Sequence, residues 1–247
     1  KGGGGRRSIA IFDIGSSSIG GAFVNLSNGK IPEIIFTARR NIPIQAELNF
    51  QRFLASMGKT LEILALLMQK NGGKVAIEEV YVILASPWYA SQTRLVRYSQ
   101  EAPFTVTEKG VSKLIEKEIA LFRNSKLFTH LKAGEGEPEI MESKNVQIKL
   151  NGYEVANPYG KRASELDVAL YVSMIPANIR TLIKESIARF WRPSKIHFSS
   201  FSLTAFDTIR SIFPDEPSFL FTDISGEVTD IALAKDNILL ESMSFPS

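Results

Sequence analysis

The sequence has no cysteine and only two histidines among its 247 residues. The absence of cysteine excludes disulfide bonds and thiolate metal sites, and it is typical of a protein from a reducing compartment. His130 and His197 each stand alone, without the spacing of a metal-binding pair or a catalytic triad. We therefore expect neither histidine to act as a metal ligand or a catalytic base.

The sequence also lacks an excess of one charge and a long apolar run. Its 29 basic and 26 acidic residues give a net charge of +3, which is too small to predict a nucleic-acid-binding surface. No run reaches the roughly 18 apolar residues of a membrane-spanning helix. No apolar signal-peptide segment follows the basic residues near the start, so we interpret residues 1–7 as a disordered tail or a cloning remnant. We therefore expect a cytoplasmic protein.

What the sequence does contain is one pattern that occurs twice. The first copy, FDIGSSSIGGAFVNLSNGKIPEIIF, starts at Phe12, and the second, TDISGEVTDIALAKDNILLESMSF, starts at Thr222. Each copy has an apolar strand ending in Asp-Ile, a turn of small residues, a second strand, a polar turn and a third strand. Asp13 and Asp223 occupy equivalent positions, 210 residues apart (223 minus 13). A repeat on this scale predicts two similar domains that face each other.

Hydrophobic periodicity orders the elements around the first copy. Apolar residues at three- and four-residue steps predict a helix over 49–70, which the sequence Asn71-Gly72-Gly73 ends. A continuous apolar run predicts a buried strand over 80–84. A second helix begins at Pro176, a short strand follows, and a third helix precedes the second copy. This order is that of a ribonuclease-H-like α/β domain, and we expect that domain to be duplicated.

Residues 87–175 interrupt this order and predict a small separate α+β lobe whose contacts are mostly internal. The predicted elements of this lobe are a strand over 93–98, a capping box from Thr105 to Glu108, a helix over 111–122, an exposed loop over Arg123–Lys144, a hairpin at Asn151-Gly152 and an apolar strand over 168–175.

These residues resemble the actin-like ATPase superfamily, which includes actin, hexokinase-type sugar kinases and heat-shock chaperone ATPases. The place of the insertion resembles the FtsA/PilM branch, as do the segments VYVILASPWYASQTR, FTVTEKGVSKLIEKEI and VQIKLNGYEVANPYGKRASELDVALYVSMIP. The resemblance covers residues 8–247. It implies subdomain IA over 8–86 and 176–199, an inserted subdomain IC over 87–175 and a partial subdomain IIA over 200–247.

The resemblance also implies a site for Mg²⁺ and ATP or ADP between the two turns. Small residues let the backbone approach phosphate oxygens, and successive N–H groups form an anion-binding concavity. Asp13 and Asp223 would hold Mg²⁺ through water, because this cation keeps its hydration shell. The residues expected to bind the cofactor are Asp13, Gly15, Ser16, Ser17, Ser18, Asp223, Ser225, Gly226 and Glu227.

The sequence departs from the superfamily pattern at three places. A lysine usually stands in the first turn, whereas Ser18 and Gly20 carry no amine. The second turn usually reads Asp-x-Gly-Gly-Gly, and here Glu227 brings a negative charge toward the phosphates. A Gln or Glu that orients the attacking water belongs near 199–202, where the sequence has none. These departures imply weak nucleotide binding and slow or absent hydrolysis.

Three functions stay open. The resemblance favours an FtsA-like division scaffold that polymerises with copies of itself and binds a tubulin-like division protein at the membrane. A PilM-like adaptor that binds a pilus membrane protein is the second, and a sugar-kinase-type phosphotransferase is the third, although no isolated loop carboxylate stands ready as its base.

Since the second copy ends after its third strand, we expect the second half to be truncated. Adenosine-binding residues and any membrane-binding segment would then lie beyond Ser247.

Overall fold

We describe a computed structural model, which covers residues 7–45, 47, 49–73, 76–123 and 137–246. Residues 1–6 of the predicted tail, residues 124–136 of the predicted loop and His130 lie outside this range. Residue 7 of the predicted tail instead begins the first strand. The described elements are β1 (Arg7–Ile14), β2 (Ser18–Leu26), β3 (Glu33–Asn41), α1 (Phe50–Asn71), β4 (Glu79–Leu84), β5 (Ala90–Thr105), α2 (Glu108–Arg123), β6 (Pro138–Leu150), β7 (Tyr153–Glu154), β8 (Arg162–Pro176), α3 (Ala177–Ala188), β9 (Lys195–Ser200), α4 (Phe201–Ile212), β10 (Phe219–Ile224), β11 (Val228–Lys235) and β12 (Ile238–Pro246).

The first sheet has the strand order β3-β2-β1-β4-β9. Strands β1, β2 and β3 are antiparallel, β4 pairs with β1 in parallel, and β9 pairs with β4 in parallel. This is the ribonuclease-H-like order that the sequence predicts. The strand register places Asp13 opposite Gly20, and Gly20 opposite Arg39 on the next strand. These three residues therefore form one row across the sheet, beside the first turn.

Helices α1 and α3 pack against each other beside this sheet and share its hydrophobic core. Helix α1 begins where the side chain of Asn49 accepts a hydrogen bond from the N–H of Arg52 (3.0 Å), and it ends at Asn71, one residue after the predicted end. Alternation along β1 puts Phe12 and Ile14 in the core, whereas Asp13 is directed to the opposite, open face. The core thus fixes the direction in which Asp13 points.

The inserted segment forms its own antiparallel sheet, with the order β5-β8-β6-β7. Helix α2 packs on it around a separate cluster of buried apolar side chains that includes Val111, Phe122 and Val168. The hairpin at Asn151-Gly152 is confirmed, since both residues have positive φ angles (51° and 83°). The long apolar strand β8 pairs with β5 on one side and β6 on the other.

Two predictions for this segment are wrong. Residues 138–144 are not an exposed loop but the first half of β6, because they pair with the apolar end of β8 and satisfy its backbone hydrogen bonds. Thr105 does not cap α2, because it belongs to β5 and its backbone pairs with Arg162. The cap is Thr107, whose hydroxyl accepts a hydrogen bond from the N–H of Gly110 (3.1 Å).

The second copy forms a three-stranded antiparallel sheet, β10-β11-β12. One face packs on α4 and on Tyr171 of β8, and the ring of Phe219 stacks on that of Phe206 with centroids 6.0 Å apart. The sheet also touches the inserted segment through the hydroxyls of Ser91 and Ser242 (3.2 Å). Exposed apolar side chains of this sheet are Leu220, Ile224, Leu233, Leu240, Met243 and Phe245.

Within the described residues, no helix has both the length and the apolar character needed to cross a membrane.

Candidate functional site

The two turns of the repeat have the same backbone geometry. In the first turn, the N–H of Gly15 donates a hydrogen bond to the carbonyl of Ser18 (3.0 Å). In the second, the N–H of Ser225 donates to the carbonyl of Val228 (3.2 Å). Each donor and each acceptor is displaced from its counterpart by the same 210 positions that separate Asp13 from Asp223. The internal repeat is therefore a repeat of structure as well as of sequence.

The two turns also touch each other. The N–H of Glu227 donates a hydrogen bond to the hydroxyl of Ser16 (3.2 Å), which is buried. Gly226 lies against Ser17 so closely that an added Cβ would stand 2.5 Å from the Cβ of Ser17. Behind the first turn, the indole N–H of Trp88 donates to the carbonyl of Gly15 (2.8 Å). The turn residues predicted from the sequence are thus brought together in one place.

Asp13 and Asp223 lie at equivalent strand ends, and the negative charge of Asp13 affects Asp223. Burial raises the pKa of Asp223, and the negative charges of Asp230 and then Asp13 raise it further. The hydroxyl of Ser225 and the guanidinium of Arg39 work in the opposite direction. A cation placed near these carboxylates would favour their ionised form.

Sequence reasoning missed Asp230, which lies opposite Asp223 on β11. Its buried carboxylate accepts hydrogen bonds from the N–H of Ser86 (3.3 Å) and the hydroxyl of Ser244 (2.5 Å). The repeat itself offered the signal, because Asp230 stands 210 positions after Gly20 in the same row. Among the described residues, no three acidic or histidine side chains lie close enough to coordinate one metal ion directly. A cation held by these carboxylates would therefore keep water ligands.

Sequence reasoning also missed Arg39, which extends from β3 over Gly20. Its guanidinium forms an ion pair with Asp13 (Nη2 to Oδ2, 2.6 Å) and donates a hydrogen bond to the hydroxyl of Ser18 (2.8 Å). An open cleft of ≈ 360 Å³ lies beside this pair, lined by Ile11, Gly20 and neighbouring residues of β2 and β3. The first turn, which has no amine of its own, thus has a cation from another strand.

A third missed residue is Glu142 of the inserted segment. The sequence has no acidic residue over 199–202, but the structure brings Glu142 there from β6. Its Oε2 accepts hydrogen bonds from the N–H and the hydroxyl of Ser200 (2.9 and 2.5 Å), and from the hydroxyl of Ser173 (2.9 Å). The carboxylate thereby binds the residue that directly precedes α4, and it joins the inserted segment to the connection between the two copies.

No protein-family model and no curated protein sequence matches this chain. Its structure is similar to that of a PilM-PilN type IV pilus biogenesis complex, with 14% identity and a TM-score of 0.62. The match covers 96% of this chain, but the chain spans only 61% of the length of that relative. A Bacteroides thetaiotaomicron protein with an actin-like ATPase fold has 11% identity and a TM-score of 0.49, over 98% of this chain and 70% of that one.

EutJ, an ethanolamine utilization protein from Carboxydothermus hydrogenoformans, has 9% identity and a TM-score of 0.41, over 97% of this chain and 52% of that one. The two structures with TM-scores below 0.5 do not contribute to the assignment of the fold. At identities of 9–14%, structural similarity supports a common fold and nothing further. The similar structure with a TM-score of 0.62 supports an assignment of the fold. The chain has the actin-like ATPase fold, with an inserted α+β lobe.

Proposed function

We propose that this chain binds Mg-ATP or Mg-ADP at its two turns. The observation that carries the proposal is the contact between two turns of equivalent geometry, each of which directly follows an aspartate-bearing strand end, at Asp13 and at Asp223. Two facing turns of small residues suit phosphate groups, because their backbone can approach the oxygens closely. The proposed ligands are the nine residues named from the sequence, with Mg²⁺ held by the two aspartates through water.

The charge balance of the site supports a metal–nucleotide rather than a free nucleotide. Four carboxylates lie at or beside the turns, those of Asp13, Asp223, Asp230 and Glu227. Among the described residues, the guanidinium of Arg39 is the one cation paired with any of them. A polyphosphate without its metal would add negative charge to carboxylates that already repel one another. Mg²⁺ offsets that repulsion, so binding is expected to depend on the metal.

The role proposed for the bound nucleotide is that of an adaptor protein rather than a phosphotransferase. The carboxylates of Asp230 and Glu142 are engaged in hydrogen bonds with serine side chains and backbone N–H groups. Neither is placed to take a proton from a substrate hydroxyl, as a kinase base must. We expect steady-state ATP hydrolysis below about 1 s⁻¹, the low end of ordinary enzymes.

Two adaptor roles fit the proposal. A pilus adaptor that binds a membrane protein is favoured, because the structure of a PilM-PilN complex is similar to this chain with a TM-score above 0.5. An FtsA-like division scaffold, which would polymerise and bind a tubulin-like protein, is the second candidate. In either role we propose a cytoplasmic protein at the inner face of the membrane, with subdomain IA over 8–86 and 176–199, subdomain IC over 87–175 and part of subdomain IIA over 200–247.

Calorimetric titration tests the nucleotide proposal. We expect heat of binding with Mg-ATP at concentrations up to the millimolar range, and much less with ATP in the presence of EDTA. No heat with Mg-ATP, Mg-ADP or either nucleotide alone would contradict the proposal.

A second assay distinguishes the pilus adaptor from the division scaffold. Nucleotide-dependent pelleting with a tubulin-like protein supports the division scaffold. Binding of a short cytoplasmic peptide from a pilus membrane protein, without pelleting, supports the pilus adaptor.

A further inference from the structure

Arg39 holds its position because Gly20 leaves room for it. The strand register puts Gly20 between Asp13 and Arg39, and the guanidinium passes over the glycine to reach the carboxylate. A Cβ at position 20 would lie 2.7 Å from Nη2 of Arg39, which is closer than real Cβ contacts come. Gly20 has no positive φ, so its backbone conformation does not demand glycine. The space above Gly20 is therefore filled by the guanidinium of another strand.

The same row of the second copy has a different composition. Asp223 faces Asp230 on the middle strand, and Asp230 faces Ser244 on the outer strand. A carboxylate thus stands where the first copy has the glycine, and a hydroxyl stands where it has the arginine. Among the described residues, Arg39 is the one basic side chain that forms an ion pair with either Asp13 or Asp223. The aspartates of the two copies, Asp13 and Asp223, thus depend on the same cation: Arg39 forms an ion pair with Asp13, and its charge also acts on Asp223.

The ion pair between Arg39 and Asp13 is accessible rather than sealed. The two side chains are 55% and 41% exposed, and the open cleft described above begins beside them. Exposed ion pairs hold their partners weakly, so a ligand with a higher charge can separate them. A guanidinium can bind two phosphate oxygens at once, because its planar group presents several N–H donors in a fixed geometry.

We infer that Arg39 is the phosphate-binding cation of this site and that it changes partners when Mg-nucleotide binds. In the structure, its guanidinium forms an ion pair with Asp13. When Mg-ATP binds, Asp13 turns to the water shell of the metal, and the guanidinium moves to the polyphosphate. The inference rests on the proposed nucleotide binding and adds a residue to it, namely an arginine on β3 in place of an amine in the first turn.

The test compares Arg39→Ala with Arg40→Ala, the adjacent arginine of β3. Arg40 is also exposed, but its side chain is directed to the other face because successive residues of a strand alternate. Titration with Mg-ATP should show affinity about 10- to 100-fold weaker for Arg39→Ala, as expected for loss of a charge-assisted hydrogen bond. Arg40→Ala should bind Mg-ATP like the unmodified chain, and both variants should keep its circular dichroism spectrum.

Mn²⁺ without nucleotide provides a readout that a merely structural role would not produce. Since Arg39 competes with the metal for Asp13, we expect Arg39→Ala to bind Mn²⁺ at least as tightly as the unmodified chain in an electron paramagnetic resonance titration. The double variant Gly20→Lys/Arg39→Ala should regain Mg-ATP affinity. Without the guanidinium, the closest contact of the new Cβ is an ordinary one, 3.5 Å from Oδ2 of Asp13.

The failure of the inference and that of the proposed function look different. If the unmodified chain binds Mg-ATP and Arg39→Ala binds it equally well, the inference is overturned and the proposed function stands. If Arg39→Ala loses affinity for Mn²⁺ alone as well as for Mg-ATP, the arginine has only a structural role and the inference is overturned again. If neither chain binds Mg-ATP, the proposed function itself fails.

Discussion

The contact between the two turns leaves no room for a side chain at Gly226, and this can be tested by substitution. Replacing it with alanine would place a Cβ 2.5 Å from the Cβ of Ser17 and 3.4 Å from its Cα, close to backbone that cannot rotate away. The turns would have to separate by about an ångström to restore ordinary contact. Overpacking of this kind typically costs about 1–3 kcal/mol of folding free energy.

Gly15 of the first turn offers the matched control. A Cβ there would stand 3.4 Å from the carbonyl of Ser18 and 3.8 Å from the hydroxyl of Ser225, which are ordinary contacts. Neither glycine has a positive φ, so both alanine variants gain the same benefit from a stiffer unfolded chain, about 0.4–1 kcal/mol. That benefit cancels when the two variants are compared. The difference in unfolding free energy between them is then the overpacking cost alone.

Urea denaturation and thermal melting, followed by circular dichroism, measure this difference. We expect Gly226→Ala to be less stable than Gly15→Ala by about 1–3 kcal/mol, and its melting temperature to be lower by about 2–4 °C for each kcal/mol in a chain of this size. Gly226→Ala should also bind Mg-ATP more weakly, because it pushes the turns apart. If the two variants melt together, the turns are not in contact as described, and the reasoning is refuted.

Two further predictions concern the carboxylates of the second copy. The raised pKa of Asp223 means that the folded chain holds its proton more tightly than the unfolded chain, so this stabilisation is complete below about pH 3.8 and is lost as the pH rises through the raised pKa. Asp223→Asn should therefore be more stable than the unmodified chain at pH 7 and lose that advantage below pH 4, and melting curves across this range check the sign. Asp230→Ala removes the acceptor of the buried Ser86 N–H and should lower the free energy of unfolding by about 1–3 kcal/mol, whereas Asp230→Asn, which keeps an acceptor oxygen, should cost less. Equal urea midpoints for these two Asp230 variants would contradict that assignment.

The elements of the first sheet and α1 were predictable because each carries a strong local signal. Helix α1 has a continuous apolar stripe and ends at Asn71, followed by two glycines. The hairpin at Asn151-Gly152 was predictable because both residues tolerate positive φ. By contrast, four of the seven residues 138–144 are polar, and the segment carries no strong strand signal of its own. It forms a strand only because β8 offers it a partner. A partner of that kind is a tertiary contact that local composition does not contain.

The site was predictable where it depends on the repeat and unpredictable where it depends on strand register. Equivalence of Asp13 and Asp223 follows directly from the two copies of the sequence. The role of Arg39 does not follow from the repeat. The sequence Asn28-Gly29 is typical of a two-residue hairpin turn, and such a turn would place Thr37 opposite Gly20. The connection is longer, and a register shift beside Phe23 puts Arg39 there instead. Glu142 was missed for a related reason, since it reaches its partner from the inserted lobe.

The central claim is that Asp13 and Asp223, on opposite copies of the repeat, serve one metal–nucleotide. A double-mutant cycle tests it directly, with Mg-ATP affinity measured by calorimetry for the unmodified chain, Asp13→Asn, Asp223→Asn and the double variant. If both carboxylates hold the same hydrated Mg²⁺, each single change weakens binding and the two effects are coupled by about 0.5–3 kcal/mol. Strictly additive effects, or a single variant that binds Mg-ATP as tightly as the unmodified chain, would contradict the account.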